Sequence, residues 1–250
     1  MGSYLAHLES IHSSKAFGRK LRYIEHNFGR LLRPGMTVLE AGPGLGEFLA
    51  VLNRRGISDI DIVERDAGVA GRLAQRFEVR NRWIMPLENL AAAAGELRRY
   101  DLIYLSQILE HVRKDALAPA LGLLYAHLKP GGRIVAVVPN GGNPLCSVER
   151  YADLTHEGVF SPNALRQLVE QAGLEGCGIE IRGYRIPPST PVNWIRIAAQ
   201  KIVHGFLLAL MAANGGNYCT LLHPNISLIV TRCVSGTEGR RGPGGSLRDN

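Results

Sequence analysis

An α/β fold on a mostly parallel sheet is what this 250-residue sequence predicts. Three observations carry that expectation. Short apolar runs alternate with helical patterns up to about residue 140, and helices of roughly 10–15 residues between strands require right-handed crossovers. The first apolar run leads straight into Gly42-x-Gly44-x-Gly46 and a helix. Two further strand-like runs follow late in the chain, giving seven in all.

Residues 1–35 read as a helical segment with a basic surface, closed by the turn signal Pro34-Gly35. Thr37–Ala41 is the first strand, and Gly46–Arg55 is a helix with Phe48, Leu49 and Leu52 on one face. Ile57–Glu64 is the second strand, and Asp66 is suited to cap a helix over 67–77. Arg80–Met85 is a third strand, Leu87–Arg99 a helix with an alanine run, and Tyr100–Ser106 a fourth strand. A helix over Lys114–Leu128 ends at Lys129-Pro130-Gly131-Gly132, and Arg133–Val138 is the fifth strand. After a polar stretch, 143–160, Ser161 and Pro162 open a helix that runs through Ala172, with Gly173 just past its end. Strands at 177–186 and 225–233 enclose an apolar helical insertion, 192–213. Its uncharged run, Ile202–Ala213, is too short to span a bilayer, so a lid or core helix is the plainer expectation. The resulting division is an N-terminal segment 1–35, a domain 36–234 and a Gly-rich disordered tail 235–250.

The glycine loop narrows the ligand. Glycines let the backbone turn sharply and approach a ligand closely, and the helix behind them offers free N–H groups. A dinucleotide loop needs Gly-x-Gly-x-x-Gly, and in that register the third position is Glu47, whose charge would repel a pyrophosphate. The Gly-Lys-Ser/Thr ending of a nucleoside-triphosphate loop is absent. A nucleoside cofactor without phosphates fits better. Glu64, at the end of the second strand, is placed to accept two hydrogen bonds from a ribose diol.

Val38-Leu39-Glu40-Ala41-Gly42-Pro43-Gly44-Leu45-Gly46, Asp61-Ile62-Val63-Glu64, Tyr100-Asp101-Leu102-Ile103, Ile108-Leu109-Glu110-His111-Val112 and Leu128-Lys129-Pro130-Gly131-Gly132, in that order, resemble the motif series of class I S-adenosylmethionine-dependent methyltransferases over about residues 36–180. The Leu-Glu-His piece and Tyr151–Ser161 resemble the branch holding ubiquinone-type and polysaccharide or natural-product O-methyltransferases. The resemblance implies a Rossmann-like three-layer sandwich whose seven strands run 3-2-1-4-5-7-6, the last antiparallel. It implies S-adenosylmethionine as cofactor, with Gly42, Gly44 and Gly46 against its methionine part and Glu40 an orienting acid beside the loop. Glu64 meets the ribose, and Ser106 and Gln107 lie beside the transferable methyl. The acid that many members place after strand three is missing here or shifted to Glu88, leaving Met85 and Leu87 to pack on the adenine.

A hydroxyl acceptor must lose its proton, and histidine suits that task at neutral pH. His111 follows strand four at the ligand-binding edge of the sheet; His156 lies in Asp153-Leu154-Thr155-His156-Glu157 after strand five and is the preferred base. No histidine pair shows metal-ligand spacing along the chain, and the four widely spaced cysteines form no Cys-x-x-Cys pair, so no metal is expected. The expected partner is a small-molecule or glycan acceptor, with an oligomer contact, a lipid-linked acceptor or a membrane surface as the further readings of 192–213. The net charge of +7 leaves an RNA substrate open, yet aromatic interleaving is absent and nucleic acid is disfavoured. A non-catalytic cofactor- or partner-binding module is the rival from outside enzymology. Without a signal-type apolar start, the expected location is the cytoplasm, at the membrane periphery if the insertion meets lipid.

Overall fold

The computed structural model describes residues 14–146, 151, 153–174, 178–215 and 219–233. The start of the expected N-terminal segment, the expected tail and Cys177 lie outside the described residues.

The chain forms helices α1 (Ser14–Phe28), α2 (Glu47–Arg54), α3 (Ala67–Arg76), α4 (Lys114–Ala126), α5 (Pro162–Gln171) and α6 (Pro191–Ala213). The strands are β1 (Val38–Ala41), β2 (Ile60–Glu64), β3 (Asn81–Ile84), β4 (Tyr100–Ser106), β5 (Leu128–Pro139), β6 (Gly178–Gly183) and β7 (Asn225–Thr231). They make one sheet in the order β3-β2-β1-β4-β5-β7-β6, as the resemblance implied. β7 runs antiparallel to both β5 and β6, and the other pairings are parallel.

Alternation along the strands builds the three layers. Leu39, Ile103, Leu105, Ile134 and Ala136 face a core that includes Leu121 and Leu124 of α4 and Leu165 of α5. Val38, Ile62, Leu102, Tyr104 and Val135 face the opposite core, which is closed by Phe28 of α1, Phe48 and Leu52 of α2 and Leu73 of α3. The N-terminal helix is thus part of the sandwich.

Local signals behave as their chemistry requires. Asp66 Oδ1 accepts from the Val69 N–H at 3.0 Å, and Ser161 Oγ accepts from the Ala164 N–H at 3.2 Å. Gly173, with φ of 70°, follows α5. Three expectations are corrected. Leu87–Glu96 is a 3-10 helix rather than an α-helix; its buried residues Leu87, Leu90 and Ala93 recur every third position, matching three residues per turn. Lys129-Pro130-Gly131-Gly132 does not precede the fifth strand. It lies within β5 as an irregularity, where pairing jumps from Tyr100↔Leu128 to Leu102↔Arg133. The insertion is one 23-residue helix, α6, with no buried residue, so it is not a core helix.

Candidate active site

A cavity of about 520 Å³ opens at the carboxyl edge of the parallel strands, within the size range of small-molecule sites. Gly42, Pro43, Gly44 and Leu45 form one wall, joined by Glu40, Glu64, Met85, Leu87, Glu88, Ser106, Gln107 and His111. The structure thereby brings together nearly all of the expected cofactor residues. Gly46 is the exception. It does not line the cavity; a Cβ there would meet Leu73 and Phe77 at 2.8 and 2.7 Å, so this glycine serves helix packing. At Gly42 a Cβ would run into Ile108. At Gly44, with φ of 54°, the nearest atom to a Cβ is Glu47 Oε2 at 4.0 Å, so the backbone there faces open space.

Three carboxylates stand around this wall. Glu40 is buried, and its Oε2 has no hydrogen-bond partner. Burial, followed by the negative charges of Glu47 and Glu64, pushes its pKa well above the ordinary carboxylate range. Such a group is either protonated or faced by a cation. Glu64 accepts the Asp66 N–H through Oε1 at 2.9 Å, which fixes its carboxylate at the cavity wall, and burial raises its pKa. Glu47, first residue of α2, pairs with Lys20 Nζ at 3.0 Å.

Lys20 belongs to α1, as do the wall residues Arg19, Tyr23 and Ile24. Composition marked this helix as a basic surface; the cavity wall it supplies was missed. The missed signal is the apolar spacing Leu21, Ile24, Phe28, which fixes the packed face and so places its neighbours over the glycine loop. Tyr184, just after β6, completes the wall and stands 5.7 Å from the Tyr23 ring between centroids.

Gln107, directly after β4, has φ of 57°, rare for a residue with a side chain, and its Nε2 donates to Asn225 Oδ1 at 3.2 Å. The chain then turns through Leu109–His111. Of the two histidines, His111 lines the cavity, whereas His156 stands behind it, 4.7 Å away between ring centroids. The segment bearing His156 is tied to this turn by the Glu157 N–H donating to the Glu110 carbonyl at 2.8 Å. Its Thr155 Oγ1 donates to Asp153 Oδ1 at 2.7 Å and lies 2.9 Å from His111 Nδ1. With the threonine proton committed to Asp153, Oγ1 accepts from Nδ1–H, which leaves Nε2 as the acceptor of the His111 ring. Burial, then the neighbouring His156, lowers the His111 pKa.

The fold also gathers what linear spacing kept apart. Ligand atoms of Glu110, His111 and His156 lie within 4.8 Å of one another, a set able to hold a divalent ion.

These features agree with comparison to known proteins. A methyltransferase-domain family model matches residues 13–177. No curated protein gives a match. Among solved structures, a SAM-dependent methyltransferase from Archaeoglobus fulgidus shares 20% identity with a TM-score of 0.64, covering 92% of this chain and 100% of that one. The 1,6-didemethyltoxoflavin-N1-methyltransferase of Burkholderia thailandensis, solved with 1,6-didemethyltoxoflavin and S-adenosylhomocysteine, shares 17% identity at a TM-score of 0.56, covering 92% and 84%. An O-methyltransferase family protein from the same organism shares 15% at 0.55, covering 91% and 62%. With the family model spanning more than half of its length, the chain belongs to the methyltransferase-domain family.

Proposed function

We propose that this protein binds S-adenosylmethionine and transfers its methyl group to a hydroxyl of a small-molecule or glycan acceptor. The observation that carries the reading is the buried, unpartnered Glu40 oxygen beside a backbone wall left open at Gly44. An ammonium group meeting Glu40 would restore its charge. Glu64 would hold the ribose hydroxyls, Met85 and Leu87 the adenine faces, and Glu88, on the same wall, would accept from the adenine amine. When bound, the cofactor supplies a sulfonium-activated methyl group.

The residues of the chain then have a positioning and proton-transfer task. Ser106 and Gln107 line the cavity and would lie beside the transferable methyl. With the methyl donor in place, His111 Nε2 would accept the proton of the acceptor hydroxyl. Thr155 and Asp153 orient the ring from behind. His156 is a neighbour that influences the base. The relatives include both an N1-methyltransferase and an O-methyltransferase family protein, so the preference for oxygen rests on His111. A second reading, favoured by the Glu110, His111 and His156 cluster, is that a divalent ion there lowers the pKa of the acceptor hydroxyl.

Transfer of labelled methyl to a panel of phenolic, sugar and amine acceptors tests the proposal. His111→Gln should lower turnover about a hundredfold or more with cofactor affinity retained. Loss of activity with chelator and recovery with a divalent ion would select the second reading. Cofactor binding without transfer to any acceptor would make the chain a binding module.

A further inference from the structure

Helix α6 is the least economical element of the fold as an isolated molecule. It has 23 residues and none is buried. Trp194, Ile195, Ile202 and Phe206 are between 61 and 73% exposed, far beyond scattered surface apolar residues. By length and composition the helix could cross a membrane, since at 1.5 Å per residue it reaches about 34 Å.

Its attachment argues against crossing. Both ends feed one sheet edge: α6 follows β6 and precedes β7, strands that pair directly from Gly183↔Ile226 onward. Midway along, the His204 ring lies 5.4 Å from that of His223, and near the start Asn193 Nδ2 donates to the Pro187 carbonyl at 2.7 Å. A span would force the return segment through hydrocarbon with its backbone groups unpaired.

The pattern around the helix is that of a helix lying flat. Half-buried Asn193, Ile197, Gln200, His204, Leu207 and Met211 recur at spacings of three and four and face the domain. Roughly half a turn away, at about 100° per residue, Ile195, Ala198, Ile202, Phe206 and Ala209 form an uncharged outer face. The only charged residues of the helix, Arg196 and Lys201, fall on its two flanks, and it carries no acid. Cations flanking an apolar face suit a bilayer interface, where they reach headgroup phosphates while the face enters the acyl boundary. Trp194 is of the type enriched at that depth.

We propose that α6 seats this protein on an anionic membrane surface, lying in the membrane plane. The net charge of +7 complements such a surface. The helix adjoins the cavity through Tyr184 and Asn225, both wall residues next to its connecting segments, so the anchored protein opens its cavity near the lipid surface. This inference does not depend on methyl transfer.

Flotation of the full chain with phosphatidylglycerol–phosphatidylcholine vesicles, and with phosphatidylcholine alone, tests it. Binding to anionic vesicles should exceed binding to neutral ones at least tenfold and weaken with salt. The variant I202E/F206E should lose at least tenfold affinity with an unchanged melting temperature, because both side chains are exposed. R196E/K201E should lose the anionic preference. Alkaline carbonate should release the bound protein. Absence of vesicle binding, indifference to I202E/F206E, or resistance to carbonate would overturn the proposal. A dimer that I202E/F206E dissociates, without vesicle binding, would assign the face to a second copy and overturn it likewise.

Discussion

At the residue scale, single atoms decide what the cavity can accept. The Gly44 backbone faces open space, so Gly44→Val puts branched carbon where a ligand must sit and strains a left-handed backbone position. The expected result is at least a hundredfold loss of cofactor affinity in a calorimetric titration, with the fold retained by circular dichroism. The chain Asp153–Thr155–His111 gives a second prediction. Thr155→Val removes the closer acceptor for Nδ1–H and leaves the Thr155 carbonyl at 3.3 Å, so turnover should fall severalfold while the Michaelis constant for cofactor stays near its original value. The sign of the pH dependence follows from the lowered His111 pKa: the neutral base persists to lower pH than an ordinary imidazole, so the acid limb of the rate profile should lie below about 6.5. An acid limb above that value would argue against His111 as the base.

Much of this site was legible in residue types. A glycine-bearing turn with acids at the ends of two adjacent strands identifies the cavity from sequence because those residues have few other uses together. Gly46 was not legible in the same way, since packing against Leu73 and Phe77 also demands glycine. Nor was the relative placement of the two histidines. The segment Asp153–Glu157 supplies Thr155 to orient His111 and keeps His156 in the rear, an outcome set by the backbone bond from Glu157 to Glu110 across the chain.

At the element scale, the motif pieces divide between the two edges of the sheet. Glu64, Gln107 and the glycine loop occupy the carboxyl edge and make the cavity. Asp61, Asp101 and Lys129 brace the other side. Asp61, fully buried, accepts from Arg98 Nε at 2.9 Å, from the Tyr100 hydroxyl at 2.8 Å and from the Asn81 N–H at 3.1 Å. Asp101 accepts from the Thr37 N–H at 2.8 Å and from Lys129 Nζ at 2.6 Å. Removing one partner from a buried charged network is costly. Asp61→Ala should therefore destabilise the protein by roughly 3 kcal/mol in chemical denaturation, with cofactor affinity of the folded fraction intact. Helix ends were readable because Asp66, Ser161 and Gly173 act locally. The 3-10 helix was not, because Leu87, Leu90 and Ala93 satisfy helical and 3-10 spacing in so short a stretch.

At the scale of the whole molecule, one architecture serves two surfaces. The parallel strands end at a cavity whose wall mixes buried carboxylates with bare backbone, while the antiparallel β6–β7 pair carries an apolar helix beside it. The protonation of His223 couples the second surface to stability. Burial, then His204 and Arg185, lowers its pKa to about 4. The unfolded chain thus binds the proton more readily, so this histidine's contribution to stability is present above about pH 6.5 and is lost as pH falls toward 4. A thermal melt followed from pH 7 to pH 4 should show the decline, and His223→Leu should flatten it.

The cavity between the glycine loop and Glu64 is the expected site of S-adenosylmethionine. Isothermal titration of the purified chain with that cofactor, in parallel with Glu64→Ala and Glu40→Ala, measures it directly. The expected result is one site per chain with affinity in the micromolar range and a loss of about tenfold or more in each variant. A well-folded chain that gives no binding heat across several temperatures, or one whose affinity ignores both carboxylates, would contradict it.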